Sequence, residues 1–205
     1  SLNEQVGSQV FLKCENLQKV GAFKFRGACN AVYSFSDEEA ARGVCTHSSG
    51  NHAQALALAA KMRGIPAYIV MPNNAPSVKK NAVAGYGGLI TFCEPTLEAR
   101  ESTLDKIRLD TGANVVHPYN DERVIAGQGT ATLELLEDVP DLDVIITPVG
   151  GGGLIAGCCS SRYGFLATAR LAAEAVAAGK LGELRVVHCR AMVAAGPAPK
   201  SPPPD

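Results

Sequence analysis

The sequence predicts an α/β protein built on parallel sheets, and three observations carry that expectation. Short Val- and Ile-rich runs alternate with helical segments at the spacing of strand–helix–strand units. The run "DVIITPV" (143–149) reads as a buried strand and feeds directly into four consecutive glycines. The segment "HAQALALAAKMRG" (52–64) is Ala- and Leu-rich on most faces, as in a helix covered on all sides.

The elements follow in order. "QVFLKCE" (9–15) reads as a strand, followed by a glycine-bearing turn at Gly21 and a helix containing "FRGACNAVYSF". "SDEEAARG" (36–43) opens with a capping box from Ser36 to Glu39 and closes on Gly43. A short strand, "GVCTH", meets the loop "SSGNH", and the buried helix after it ends on Gly64. "PAYIVM" (66–71) is a strand, "APSVKKNAVAGYG" a helix and "LITFC" (89–93) a strand. Lys79, Lys80 and the glycines of "GYGG" (85–88) belong to a solvated helix and its C-cap. "TLEARESTLDKIRLDTG" (96–112) is a helix with a polar outer face, "ANVVH" a strand, and "ERVIAGQGTATLELLEDV" (122–139) contains a further helix. Beyond Gly157 the chain turns Ala-heavy, with "LRVVHC" the one further strand-like run, and it ends in the Pro-rich, disordered tail "GPAPKSPPPD" (196–205).

Composition narrows the function classes. The 205 residues are 46% hydrophobic with a formal net charge of −1, enough for one substantial domain or two small lobes. That balance gives no electrostatic reason to expect nucleic acid or an anionic membrane as partner. No apolar run is long enough to span a bilayer, and the N-terminal "SLNEQVGSQ" lacks the basic and apolar regions of a signal peptide. The start without Met points to a chain that begins inside a longer protein. Seven cysteines without a C-x-x-C read as buried, reduced thiols, placing the protein in the cytoplasm or an organelle stroma.

Three segments carry chemistry. "PVGGGGLIAG" (148–157) follows a strand and opens a helix, an arrangement that presents backbone N–H groups and a helix N-terminus to an anion. The other reading of four glycines is a flexible tether. No Gly-Lys-Ser/Thr follows, so it is not a Walker loop. In "GAFKFRGA" (21–28), Lys24 stands between two phenylalanines; an apolar setting lowers a lysine pKa and yields an amine able to form a Schiff base. A solvated helix lysine is the alternative there. "HSSGNHAQA" (47–55) offers hydroxyls, an amide and free N–H groups to a carboxylate or a phenolate-like oxygen, or is an ordinary N-cap, with His52 more often an orienting than a catalytic group. Taken together, a lysine, a carboxylate loop and a phosphate cup are the parts that pyridoxal phosphate (PLP) needs to act on an amino acid.

With these motifs in hand, "KCENLQKVGAFKFRGACNAV", "HSSGNHAQALALAAKMRGIPAYIVMP", "GQGTATLELLE" and "PVGGGGLIAG" closely resemble the serine racemase and threonine/serine dehydratase family of fold-type II PLP enzymes, in matching order over about residues 1–157. The resemblance implies a tryptophan synthase β-like fold of two lobes with parallel sheets. The small mobile lobe would be 46–118 and the large PLP-binding lobe 1–45 with 119–195. It implies Lys24 as the Schiff-base lysine and base on one face of the substrate Cα. Asn51 would bond the ring oxygen, Phe23 would pack beside the ring, and Gly150, Gly151, Gly152 and Gly153 would bind the phosphate. Ser48, Ser49, Asn51 and His52 would receive the substrate carboxylate. Ser49 would work on the face opposite Lys24, as racemisation requires; loss of the β-hydroxyl instead gives pyruvate or 2-oxobutanoate and ammonia. The substrates implied are serine and threonine, with a homodimer left open.

The sequence also departs from the family. The acidic ligands for a divalent cation (Mg or Ca) and the serine expected on the pyridine nitrogen have no counterpart, and His188-Cys189-Arg190 stand where an acidic motif belongs. The large lobe is therefore expected to be incomplete, as in a truncated chain. Two further readings stay beside the enzyme: a non-catalytic relative that binds PLP or a partner chain without turnover, and a general anion-binding α/β module.

Overall fold

The computed structural model describes residues 1–163, with side chains to residue 159. The strand-like "LRVVHC", the Pro-rich tail and the part of the expected large lobe beyond 163 lie outside the described residues. A short helix α1 (Leu2–Val6), with a Ser1–Glu4 capping box, precedes a stretch without regular structure and two 3₁₀ turns at Glu15–Leu17 and Lys19–Gly21. Helices α2 (Lys24–Ser34) and α3 (Asp37–Ala41) follow; the capping box of Ser36 and Glu39 is formed, and Gly43 has φ +81°.

A strand–helix series then runs β1 (Val44–His47), α4 (Asn51–Arg63), β2 (Ala67–Pro72), α5 (Ser77–Gly85), β3 (Leu89–Cys93), α6 (Leu97–Thr111) and β4 (Asn114–Val115). Helices α7 (Glu122–Asp138) and α8 (Gly153–Tyr163) complete the described chain. The strands form one parallel sheet in the order β3-β2-β1-β4. Alternation along them separates two faces. Val44, Ile69 and Met71 join a core with α2 and α4, while Cys45 and Val70 pack with Leu104 of α6 and Ala113. Helix α4 is buried along nearly its whole length, from His52 to Ala60, because α2 covers the side that the sheet leaves free.

The strand order places the site. From β1 the chain steps to β2 and β3, then returns to β4 on the other side of β1. The two crossovers diverge between β1 and β4, the topological position beyond whose carboxyl ends open α/β sheets bind ligands. Ser48–His52 leaves one end and Val116–Asn120 the other.

Three sequence expectations are corrected. "QVFLKCE" is not a strand: residues 9–14 form no ladder, Glu15 opens a 3₁₀ turn, and Phe11 and Leu12 lie exposed. "DVIITPV" likewise forms no ladder beyond an isolated bridge residue at Val144, and Ile146 is 90% exposed. Both have strand composition, but a strand exists only with a partner, and among the described residues every ladder lies between 44 and 115. The cysteines are mixed, with Cys45, Cys158 and Cys159 buried but Cys14 exposed.

Candidate active site

Lys24 is the first residue of α2, delivered by the tight turn at Lys19–Gly21. That turn needs two successive residues in the left-handed region, Val20 (φ 58°) and Gly21 (φ 67°). Glycine adopts it freely, whereas a β-branched residue there is strained. The Lys24 amine donates to the Pro118 carbonyl at 2.5 Å and lies 5.3 Å from the centre of the Phe23 ring. Burial pushes its pKa below the ordinary lysine value. The alternative of a freely solvated helix lysine is thereby removed.

The "SSGNH" loop leads from β1 into α4. The Ser48 N–H donates to the Val70 carbonyl, while its hydroxyl accepts from Gly50 N–H at 3.3 Å, so Ser48 shapes the turn. Ser48 and Ser49 are half-buried, and Asn51, the first residue of α4, is exposed. The helix has no side-chain cap at Gly50, nor does α2 at Phe23, in contrast to α3, α6 and α7, which Ser36, Thr96 and Asp121 cap. The first-turn N–H groups of α2 and α4 are thus left without a capping side chain. His52 is 2% exposed; its Nε2 meets the Val116 carbonyl at 3.0 Å and its Nδ1 has no partner. With Nε2 donating, Nδ1 is a buried bare acceptor, and desolvation lowers the imidazole pKa to about 4.

The glycine turn closes against the same segment. Cβ atoms built on Gly150 and Gly152 would meet nothing within 4 Å, whereas one on Gly151 would lie 2.3 Å from the Tyr119 ring. One on Gly153 would lie 2.9 Å from the Tyr119 Cα. Gly152 has φ +85°, and Gly153 begins α8. Beside the turn, the buried Thr147 hydroxyl has no hydrogen-bond partner.

Residues 116–119 therefore join all three motifs: Val116 holds His52, Pro118 holds Lys24, and Tyr119 lies against the glycines. By sequence this segment is only the end of the strand-like "ANVVH" and the two residues after it. Its one signal was the "HPYN" punctuation at the carboxyl end of β4, where the His117 Nδ1 accepts from the N–H groups of Tyr119 and Asn120. The "GQG" of α7 makes a second tie. A Cβ on Gly127 would lie 2.5 Å from the Arg26 carbonyl of α2. On the other side, a Cβ on Gly157 of α8 would lie 2.7 Å from Gly129 N. The helices carrying Lys24 and the glycine turn thus both rest on α7 at close glycine contacts.

These residues suit PLP. A desolvated amine lies beside an aromatic ring, and the turn into α8 presents backbone at Gly150 and Gly152 with open space where side chains would stand. Among the described residues no group of three or more His, Cys, Asp or Glu could hold a metal ion, and no helix is long and apolar enough to cross a membrane.

Comparison with known proteins agrees. A family profile described as pyridoxal-phosphate dependent enzyme matches residues 1–190. The β-hydroxyaspartate dehydratase of Paracoccus denitrificans (strain Pd 1222) is 58% identical over 158 residues, covering 77% of this chain and 50% of that protein. The serine racemase of Dictyostelium discoideum is 55% identical over 159 residues, covering 78% and 49%. Its crystal structure superposes with a TM-score of 0.77 at 54% identity, over 80% of this chain and 53% of that one. Threonine deaminase isoform 2 of Solanum lycopersicum gives 0.74 at 38% identity, over 78% and 47%. The chain spans about half the length of these relatives. From the lysine in its aromatic setting to the glycine turn beyond α7, the chain belongs to the pyridoxal-phosphate dependent enzyme family.

Proposed function

We propose that this chain carries the cofactor-holding and proton-transfer parts of a serine racemase or L-serine/L-threonine dehydratase. The observation that carries the reading is the convergence of the Lys24 amine and the glycine turn on Pro118 and Tyr119. Lys24 would hold the cofactor aldehyde covalently, Phe23 would pack beside its ring, Asn51 would donate to the ring oxygen, and Gly150–Gly153 would receive the phosphate. Bound there, PLP supplies an electron sink that lets the Cα proton of an amino acid be removed. Lys24 would take or return that proton on one face and Ser49 on the other. Ser48, Ser49, Asn51 and His52 would orient the substrate carboxylate on the uncapped first turn of α4. The buried His52 ring, held by Val116, stays neutral at physiological pH and so orients the loop without adding charge. Movement of residues 46–118 as a small lobe would exclude water from the reacting carbon.

Adding PLP to the purified chain and recording the visible absorption band, with Lys24→Ala as control, tests the reading. A band lost in Lys24→Ala is expected, and no band in the parent chain overturns it. D-serine assayed against pyruvate formed from L-serine then separates racemase from dehydratase. A second reading, a chain that binds PLP or a partner without turnover, is favoured by the uncovered apolar residues Val144, Ile146 and Val149 leading into the glycine turn. It predicts the band without either product.

A further inference from the structure

The four glycines divide into two kinds. At Gly150 and Gly152 a side chain would enter open space. At Gly151 it would meet Tyr119 Cγ and Cδ1 at 2.3 Å and Cδ2 at 2.6 Å, and at Gly153 it would meet Tyr119 Cα at 2.9 Å, with Cβ and the carbonyl oxygen at 3.0 Å. The Gly151 backbone therefore lies on the face of the ring, and Gly153 lies on the backbone that carries it. The ring is held in turn by His117, edge-on at 4.5 Å, whose Nδ1 accepts from Tyr119 N–H. One residue earlier, Pro118 accepts from Lys24.

We propose that Tyr119 is a positioning residue: its ring is the seat on which the turn is folded. It requires glycine at 151, and it sets the phosphate cup at a fixed place relative to Lys24 through the single peptide link from Pro118 to Tyr119. Gly150 and Gly152 are then the pair left open to a ligand. The packing stands on the contacts alone; its consequence for the cofactor rests on the function proposed above.

A substitution cycle on the full chain tests it, with thermal unfolding measured without cofactor. Gly151→Ala is expected to lower Tm by about 5 °C, the scale of overpacking in a chain of this size. In a Tyr119→Ala background the same change costs little, because every ring atom it strikes is gone. In a Tyr119→Phe background the full cost returns. Gly153→Ala stays costly in both, because it strikes Cα, Cβ and the carbonyl oxygen, which alanine keeps. An equal cost of Gly151→Ala in the Tyr119 parent and the Tyr119→Ala background overturns the proposal.

Should Gly151→Ala not fold alone, recovery of folded protein in the double variant supports the seat and failure to recover it overturns it. Should Tyr119→Ala and Tyr119→Ser both fail to fold while Tyr119→Phe folds, the ring is shown to be the seat. The second readout is affinity. Tyr119→Ala, and the refolded double variant, should bind PLP about tenfold more weakly while capturing phosphate-free pyridoxal as the parent does, because a cup without its seat is no longer preorganised. Unchanged PLP affinity overturns the positioning role. A parent chain that binds no PLP, with the unfolding cycle intact, overturns only the function on which that role rests.

Discussion

The Lys24 amine donates to the Pro118 carbonyl at 2.5 Å, joining residues 94 positions apart. The contact fastens the first turn of α2 to the carboxyl end of β4. It gives the amine one neutral acceptor in a setting where burial disfavours its charge.

From this follows a trade of stability against reactivity at Lys24. Its folded pKa is lowered, so at neutral pH folding carries the cost of a buried ammonium, and that cost disappears only as pH rises past the ordinary lysine value. Lys24→Met should therefore raise the Tm of the cofactor-free chain at pH 7 while abolishing PLP capture. In the parent, the capture rate should climb with pH and level off below the pH at which a free lysine does. Differential scanning and stopped-flow absorbance check the two halves; a lower Tm in Lys24→Met contradicts the buried-charge account.

Acid should loosen the site through His52. Its pKa falls from 6.5 to about 4 on folding, so stability is full above pH 6.5 and declines as pH drops from there toward 4. At 1.36 kcal/mol per unit the loss is about 3 kcal/mol. Burial lowers His47 and His117 as well, and they add to the slope in the same direction. Urea midpoints between pH 8 and 4 measure it, and His52→Asn should flatten much of the decline.

Arg26, two residues past Lys24, bonds Glu15 through Nε and Nη2 at 2.8 and 2.9 Å, and Glu134 through Nη1 and Nη2 at 2.6 and 2.7 Å. With its side chain 9% exposed, it ties the N-terminal stretch and α7 to α2. Lys13 adds a further bond to Glu134, whose carboxyl these cations hold down at about 2. Because Glu134 itself is 46% exposed, screening tempers the gain, and Arg26→Ala should cost about 2 kcal/mol in urea unfolding. Arg26→Lys should recover only part of that, since an ammonium lacks the guanidinium fork.

Gly127→Ala should cost about 1–3 kcal/mol, because its methyl strikes the Arg26 carbonyl and the Gly27 Cα instead of a side chain able to swing away. It should also slow PLP capture, since α2 must retreat. Solvent-facing Ala126→Gly on the same helix serves as the control, expected to cost about 1 kcal/mol of stability without slowing capture.

How far these features were legible in the sequence depended on whether the signal was local. The Ser36–Glu39 capping box, Gly64 at the end of α4 and the buried Ala-rich face each act within a few residues, and each formed as read. Lys24 and the glycine turn stand out as candidates in the sequence because their chemistry is concentrated in short motifs. Residues 9–15 and 143–149 were misread because β-propensity reports a residue's fitness for a ladder, whereas the ladder needs a partner elsewhere. Tyr119 is not legible there because nothing about "HPYN" shows that Gly151 folds onto that ring; the contact joins residues on either side of α7, far apart in the chain. The same topology makes one line of Val116, Pro118 and Tyr119 the hub of three motifs that the sequence presents separately.

The most direct test of the account is to mix the chain with PLP, reduce the complex with borohydride, digest it and locate the added mass by tandem spectrometry. The account predicts a single modified lysine, Lys24, with no label in Lys24→Ala. Label on Lys19 or spread over the surface lysines, with Lys24 unmodified, would contradict it.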